Sequence, residues 1–289
     1  MKSCRRLLFA AWLVLAVGAS AQHGETGGET HDLLFPKAQA RPFAGHPALT
    51  PEQRTAYANR AKFFRRIRPE YRPDLDWRTA LSKSLDDVDP EWSQGFEELI
   101  IRDFFGDREG GFYVDVGCYL PRKGSTTYDL EQRLKWAGVG IDVIGRYGEA
   151  WKRLRPRSTF VQAAVADTDG ETVQLHLAGP FATLDEKLLK DFGRAKRAKV
   201  IEVKTATLNT LLEKQGVEKF DFLSMDIEGA ELAALKGFDI KRFQPGLCCI
   251  ETAHRDAVVG YFESNGYEWL EKYLKADKIN LYFRPKPEK

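Results

Sequence analysis

Hydrophobic and polar positions divide this chain into three stretches. Positions 1–21 open with Lys2, Arg5 and Arg6, continue as an apolar run over 7–19, and close on the small residues Ala19-Ser20-Ala21. Positions 22–50 lose that pattern and become rich in Gly, Thr, His, Ala and Pro, the composition of a flexible linker. From Trp92 onward the pattern becomes regular. Phe96, Leu99, Ile100 and Phe104 recur at helical spacing, and Gly106 to Gly111 reads as a turn. Short apolar runs then alternate with helix-like segments. The pattern predicts strands over 112–116, 138–143, 159–165, 171–177, 199–204, 220–226, 247–252, 267–272 and 279–284. It predicts helices over 126–136, 147–154, 206–214, 229–236 and 255–264. Such alternation implies an α/β fold with a doubly wound, mainly parallel sheet covered on both faces. The last two strands are separated only by 273–278, too short for a crossover, so they are expected to form a C-terminal antiparallel hairpin.

Between linker and sheet, Thr50-Pro51-Glu52-Gln53 reads as a capped helix start, and positions 51–91 as a helical extension. Arg60, Lys62, Arg65, Arg66 and Arg68 make this extension basic, which is read as a solvated helix face. The expected organisation is therefore a signal peptide over 1–21, a linker over 22–50, the extension over 51–91 and one catalytic-sized domain over 92–289.

Composition narrows the function classes. With 43% hydrophobic and 12% aromatic residues, the chain can bury a large core. The formal net charge of +2 gives no reason to expect nucleic acid as a partner. The basic start, the short apolar run and the small-residue site read as a secretory signal, so export to a periplasmic, secreted or lumenal location is expected. The alternative is an uncleaved membrane anchor, although the run is short for a bilayer span. Loss of Lys2, Arg5 and Arg6 would leave 41 basic against 42 acidic residues. Three of the four cysteines would remain, Cys118, Cys248 and Cys249. An odd count with two adjacent residues is no disulfide framework and has no metal-ligand spacing, so these cysteines are read as core fillers and no metal is assigned.

Two constellations carry chemistry. The run Phe112-Tyr113-Val114-Asp115-Val116-Gly117 is a strand with an acid in it that closes on glycine, and the next strand ends at Asp142. In a βαβ unit the glycine allows close backbone approach to a ligand, and the acid ending the second strand can bind ribose hydroxyls. The phosphate cradle G-x-G-x-x-G is missing, because Gly117 leads into Cys118, Tyr119, Leu120, Pro121 and Arg122. One glycine flanked by carboxylates suits an adenosine cofactor without a pyrophosphate, such as S-adenosylmethionine. The second constellation is the strand ending at Asp226, followed by Glu228, Gly229 and Glu231. Ligands of open α/β sheets sit beyond the carboxyl ends of the strands, which puts Asp226 on the rim shared by Gly117 and Asp142. Glu228 and Glu231 can serve a substrate there or favour the N-terminus of the helix that follows.

On these pieces the chain resembles the FkbM family of S-adenosylmethionine-dependent methyltransferases. The matching elements are Ser93-Gln94, 112–117 with Ser125-Thr126-Thr127-Tyr128, Ile141-Asp142, 221–231, Ile250-Glu251 and 261–267. The resemblance implies a class I Rossmann-like methyltransferase fold, with cofactor binding at Asp115, Gly117 and Asp142. It places the end of the third strand, at Ala164, beside the adenine. The loop Cys118-Tyr119-Leu120-Pro121-Arg122 departs from the commoner Ala-x-x-Gly and suggests that Tyr119 and Arg122 shape the substrate mouth, with Glu228 beside them. Val143-Ile144-Gly145 stands where the family often has Pro-Asn-Pro. Methyl transfer to oxygen needs the acceptor's proton removed, and Asp226, Glu251 and His254 are the candidate catalytic groups. The expected activity is O-methylation of a sugar or other small hydroxyl acceptor, so the partner is a small molecule or glycan. A rival reading keeps the fold and makes the chain an exported, non-catalytic binding protein.

Overall fold

In the computed structural model, residues 93, 97–178, 181–184, 189–190 and 198–287 are described. The expected signal peptide, linker and helical extension lie outside them. Among the described residues no helix is long and apolar enough to cross a membrane.

The chain enters through helix α1 (Glu97–Phe105) and then alternates. Strand β1 (Phe112–Val116), α2 (Tyr128–Leu134), β2 (Ala137–Asp142), α3 (Gly148–Leu154) and β3 (Ser158–Gln162) form the first half. After a side excursion come α4 (Leu208–Lys214), β8 (Phe222–Met225), α5 (Glu231–Lys236), α6 (Ile240–Phe243), β9 (Leu247–Glu251) and α7 (Arg255–Ser264). The chain ends with β10 (Tyr267–Trp269) and β11 (Asn280–Pro285). Seven strands hydrogen-bond in the order β10-β11-β9-β8-β1-β2-β3. All neighbours from β3 to β9 are parallel, and β11 runs antiparallel to both β9 and β10. This is the doubly wound, Rossmann-like sheet that the resemblance implies, closed by the antiparallel C-terminal pair.

Alternation of side chains along the strands explains the two layers. Val114, Val116, Leu223, Met225, Cys248 and Ile250 face one way, under α4 to α7. Tyr113, Phe222, Leu247 and Cys249 face the other way, under α1 and α2. Adjacent Cys248 and Cys249 therefore fill opposite cores, both as free buried thiols.

Two expectations are corrected. The run read as one strand over 159–165 breaks at Ala163. Strand β3 stops at Gln162, and β4 (Ala164–Val165) turns away into a second sheet ordered β4-β7-β5-β6. Here β5 (Thr172–Ala178) pairs antiparallel with β6 (Phe181–Thr183) and with β7 (Lys199–Ala206). Polar positions alternate through β5 and β7, so one face of each stays exposed, which the doubly covered sheet would not permit.

Candidate functional site

In an open parallel sheet the crevice opens where strand order reverses. Here that point lies between β1 and β8, which are neighbours in the sheet although far apart in the chain. Gly117 follows β1, Asp226 follows β8, and β2 and β9 end at Asp142 and Glu251, so all four reach the same rim.

Gly117 has φ +86, and a Cβ there would stand 1.8 Å from the Asp226 carbonyl oxygen. Its N–H donates to the Ile141 carbonyl at 2.8 Å, as the Asp226 N–H does to Val116 at 2.9 Å. The sequence reading assigned the missing side chain to a ligand. The structure assigns it first to the neighbouring strand end, which can close up against β1 only because residue 117 is glycine.

Asp142 is buried at the end of β2. Its Oδ2 accepts the Tyr119 amide at 2.9 Å and its Oδ1 the Ile144 amide at 2.7 Å. Burial raises its pKa, while these amides and Arg146 act in the opposite direction. Each carboxylate oxygen keeps a further lone pair for a hydroxyl donor. The segment Val143-Ile144-Gly145 thus preserves the acid and brings an amide back onto it.

Tyr119, which sequence reading placed at the substrate mouth, sits in the left-handed region at φ +45 on the Asp142 side of the rim. Its carbonyl accepts from Trp151 Nε1 at 2.9 Å, and its ring meets Tyr147 edge-on at 4.9 Å between centroids. Arg122 is exposed and lies over the Tyr128 ring at 5.8 Å. Asp115 is buried and accepts from Thr127 Oγ1 at 2.7 Å, and burial lifts its pKa to about 6. Ala164 does not end the third strand. Ala163 holds that place, its N–H on the Asp142 carbonyl at 3.1 Å, and Ala164 is buried in β4.

After β8 the chain makes a tight turn, with Glu228 at φ +55 and Gly229 at φ +95. Glu231, the first residue of α5, turns its Oε1 back onto the amides of Ile227 at 3.2 Å and Gly229 at 3.0 Å. This is a capping role, the structural alternative the sequence left open for Glu231. Asp226 Oδ1 is buried with no hydrogen-bond partner among the described residues. Burial, then the charges of Glu231, Glu97, Asp115 and Asp142, push the Asp226 pKa up to about 8. Glu251 on the next strand is raised as well, by burial first and by Asp226 second. His254 is exposed just before α7, its backbone N–H on Thr252 Oγ1 at 3.0 Å.

Sequence reading missed Glu97. It lies in the first turn of α1, nearly inaccessible, and Asn280 Nδ2 donates to its Oε1 at 3.2 Å. Asn280 is aligned with Glu251 across β11 and β9, which puts Glu97 at the same rim. Burial, with the charges of Asp277 and Glu98, lifts Glu97 to about 7. The available signal was an acid beside the apolar stripe of the leading helix, which reads as an ordinary N-terminal charge. Among the described residues no three or more His, Cys, Asp or Glu side chains form a group that could hold a metal ion.

A family model for the methyltransferase FkbM domain matches residues 115–275, more than half of the chain. The chain belongs to the FkbM methyltransferase family. The match runs from Asp115 on β1 through Asp142, Asp226 and Glu251, and stops short of α1 with Glu97. No curated protein matches the chain. Among solved structures, a TehB-like SAM-dependent methyltransferase from Corynebacterium glutamicum is 14% identical, with a TM-score of 0.37 over 81% of this chain and 100% of that one. A ribosomal RNA methyltransferase from Plasmodium falciparum is 11% identical, with a TM-score of 0.36 over 66% of this chain and 94% of that one.

Proposed function

We propose that this FkbM domain is an S-adenosylmethionine-dependent O-methyltransferase acting on a sugar or another small hydroxyl acceptor. The observation that carries the proposal is the unpartnered, buried Asp226 Oδ1 at the reversal point of the sheet, between the Asp142 and Glu251 strand ends. When bound, S-adenosylmethionine supplies a methyl group activated by a sulfonium charge. Asp142 has lone pairs free for ribose hydroxyls, and a cationic ligand beside the raised carboxyls of this rim would favour their ionised form. Asp226 Oδ1 accepts the acceptor hydroxyl's hydrogen bond and takes its proton as the new bond to oxygen forms. Burial first, then the charges of Glu231 and Glu97, keep Asp226 near the range where it can both hold and release that proton.

Calorimetric titration with S-adenosylhomocysteine tests the cofactor assignment, and micromolar affinity is expected. Asp142→Ala should weaken that affinity about tenfold or more, given about 1.5–3 kcal/mol for a hydrogen bond to a charged group. Unchanged affinity would remove Asp142 from the ribose site.

Asp226→Asn separates chemistry from folding. Turnover should fall about a hundredfold or more, with little change in affinity for S-adenosylhomocysteine. Equal loss in both would make Asp226 a binding residue. Its folded pKa is raised to about 8, so the neutral carboxyl is favoured by the fold. That contribution is complete below the ordinary carboxyl range and is lost as pH rises through the folded value. The variant should therefore lose less stability than the native protein between about pH 5 and about pH 9 in urea titrations.

A further inference from the structure

The turn that carries Asp226 is tied from two directions. From within the large sheet, Asp226 N–H bonds to Val116, and Glu231 takes the amides of Ile227 and Gly229. From the second sheet, the Thr183 hydroxyl at the end of β6 donates to the Glu228 carbonyl at 2.8 Å. Glu228 is half-buried, whereas Thr183 is buried, so the donor side of this bond is held within the protein. It reaches the turn at a non-glycine residue in the left-handed region, where the backbone is least stable by itself.

We infer that Thr183 is a positioning residue for Asp226, through which the β5–β6 hairpin holds the Asp226–Gly229 turn in its working conformation. The inference rests on the proposed role of Asp226. Its physical basis is that a left-handed Glu228 that loses the Thr183 hydroxyl from its carbonyl would relax towards ordinary backbone angles. Relaxation would rotate the peptides on either side and move Asp226 out of register with Glu251. The side sheet then has a function beyond its own packing, since its hairpin and the strand ends of the large sheet jointly determine where Asp226 stands.

Thr183→Val keeps shape and burial and removes the donor, while Thr183→Ser keeps the donor. Two measurements decide, both free of any need for the acceptor. Amide exchange of Ile227 and Gly229, read by NMR, should rise about tenfold in the valine variant and return to native protection in the serine variant. The Asp226 carboxyl carbon titration should move below its native midpoint in the valine variant, as water reaches a loosened turn, and recover with serine. Native exchange or an unmoved midpoint in Thr183→Val overturns the inference, as does a serine variant as impaired as valine. Failure of the native protein to bind S-adenosylhomocysteine would instead sink the cofactor reading, and the exchange result at the turn would stand apart from it.

Discussion

Arg155→Ala should destabilise the domain by about 3–5 kcal/mol, the cost of removing one partner from a buried ion pair. Arg155 is completely inaccessible. Its Nε donates to Glu131 Oε2 at 2.7 Å, and Nη1 donates to the Pro121 carbonyl at 3.0 Å and Ser125 Oγ at 3.2 Å. Nη2 donates to the Thr127 carbonyl at 3.1 Å, to Thr127 Oγ1 at 3.0 Å and to the Tyr113 hydroxyl. The guanidinium also lies 4.4 Å from the centre of the Trp151 ring. Removing it leaves the buried Glu131 without its cation, although Ser158 Oγ and the Arg157 amide still donate to it, and frees the acceptors of the 118–127 loop together. Arg155→Lys should recover little, because an ammonium cannot present a planar fork to acceptors on several sides. The loop also carries the Tyr119 amide that bonds Asp142, so affinity for S-adenosylhomocysteine should fall with stability. Urea unfolding at neutral pH measures the first effect. A loss under about 1 kcal/mol would mean that the network is solvated and contributes as weakly as a surface pair.

Arg155 also shows where sequence reading stops. In Lys152-Arg153-Leu154-Arg155-Pro156-Arg157 it is one cation among several, and nothing in the pattern distinguishes the buried one. Its burial depends on the 118–127 loop meeting Trp151 and Arg155 at the end of α3, a contact between segments distant in the chain. The central strands are legible for the opposite reason. β1, β2, β8 and β9 are covered on both faces, so each appears as a continuous apolar run whatever its partners are. The acids that end or follow them are legible too, because a carboxylate closing an apolar run has few structural uses. The second sheet is half legible. Its strands appear as alternating patterns, but alternation says that one face is wet and not which sheet the strand joins. The break at Ala163 follows from the same ambiguity, since an apolar run carries no mark where it passes from one sheet to another. Glu97 and Thr183 stay hidden because each acts on a rim built by strands far away in sequence. The glycine after β1 was legible as a requirement, though not for its reason.

That reason predicts the second large effect. Gly117→Ala should cost about 1–2 kcal/mol for left-handed backbone alone, with about 1–3 kcal/mol more for forcing atoms into a filled space. The added methyl would stand 1.8 Å from the Asp226 carbonyl oxygen, which is backbone and cannot swing aside. Neither strand end can retreat without breaking Gly117 N–H to Ile141 or Asp226 N–H to Val116. The clash is therefore relieved by opening the rim between β1 and β8, where the proposed cofactor and acceptor would meet Asp142 and Asp226. Cofactor affinity should consequently fall by more than stability alone accounts for. Gly170→Ala is the matched control: φ is +79 and a Cβ there meets nothing within 4 Å, so it carries the backbone cost without the clash. Thermal unfolding and S-adenosylhomocysteine titration of the two variants side by side isolate the contact. If Gly117→Ala proves no worse than Gly170→Ala in both, the close approach of β1 and β8 is not what requires glycine, and the site must be built on a looser rim than its hydrogen bonds imply.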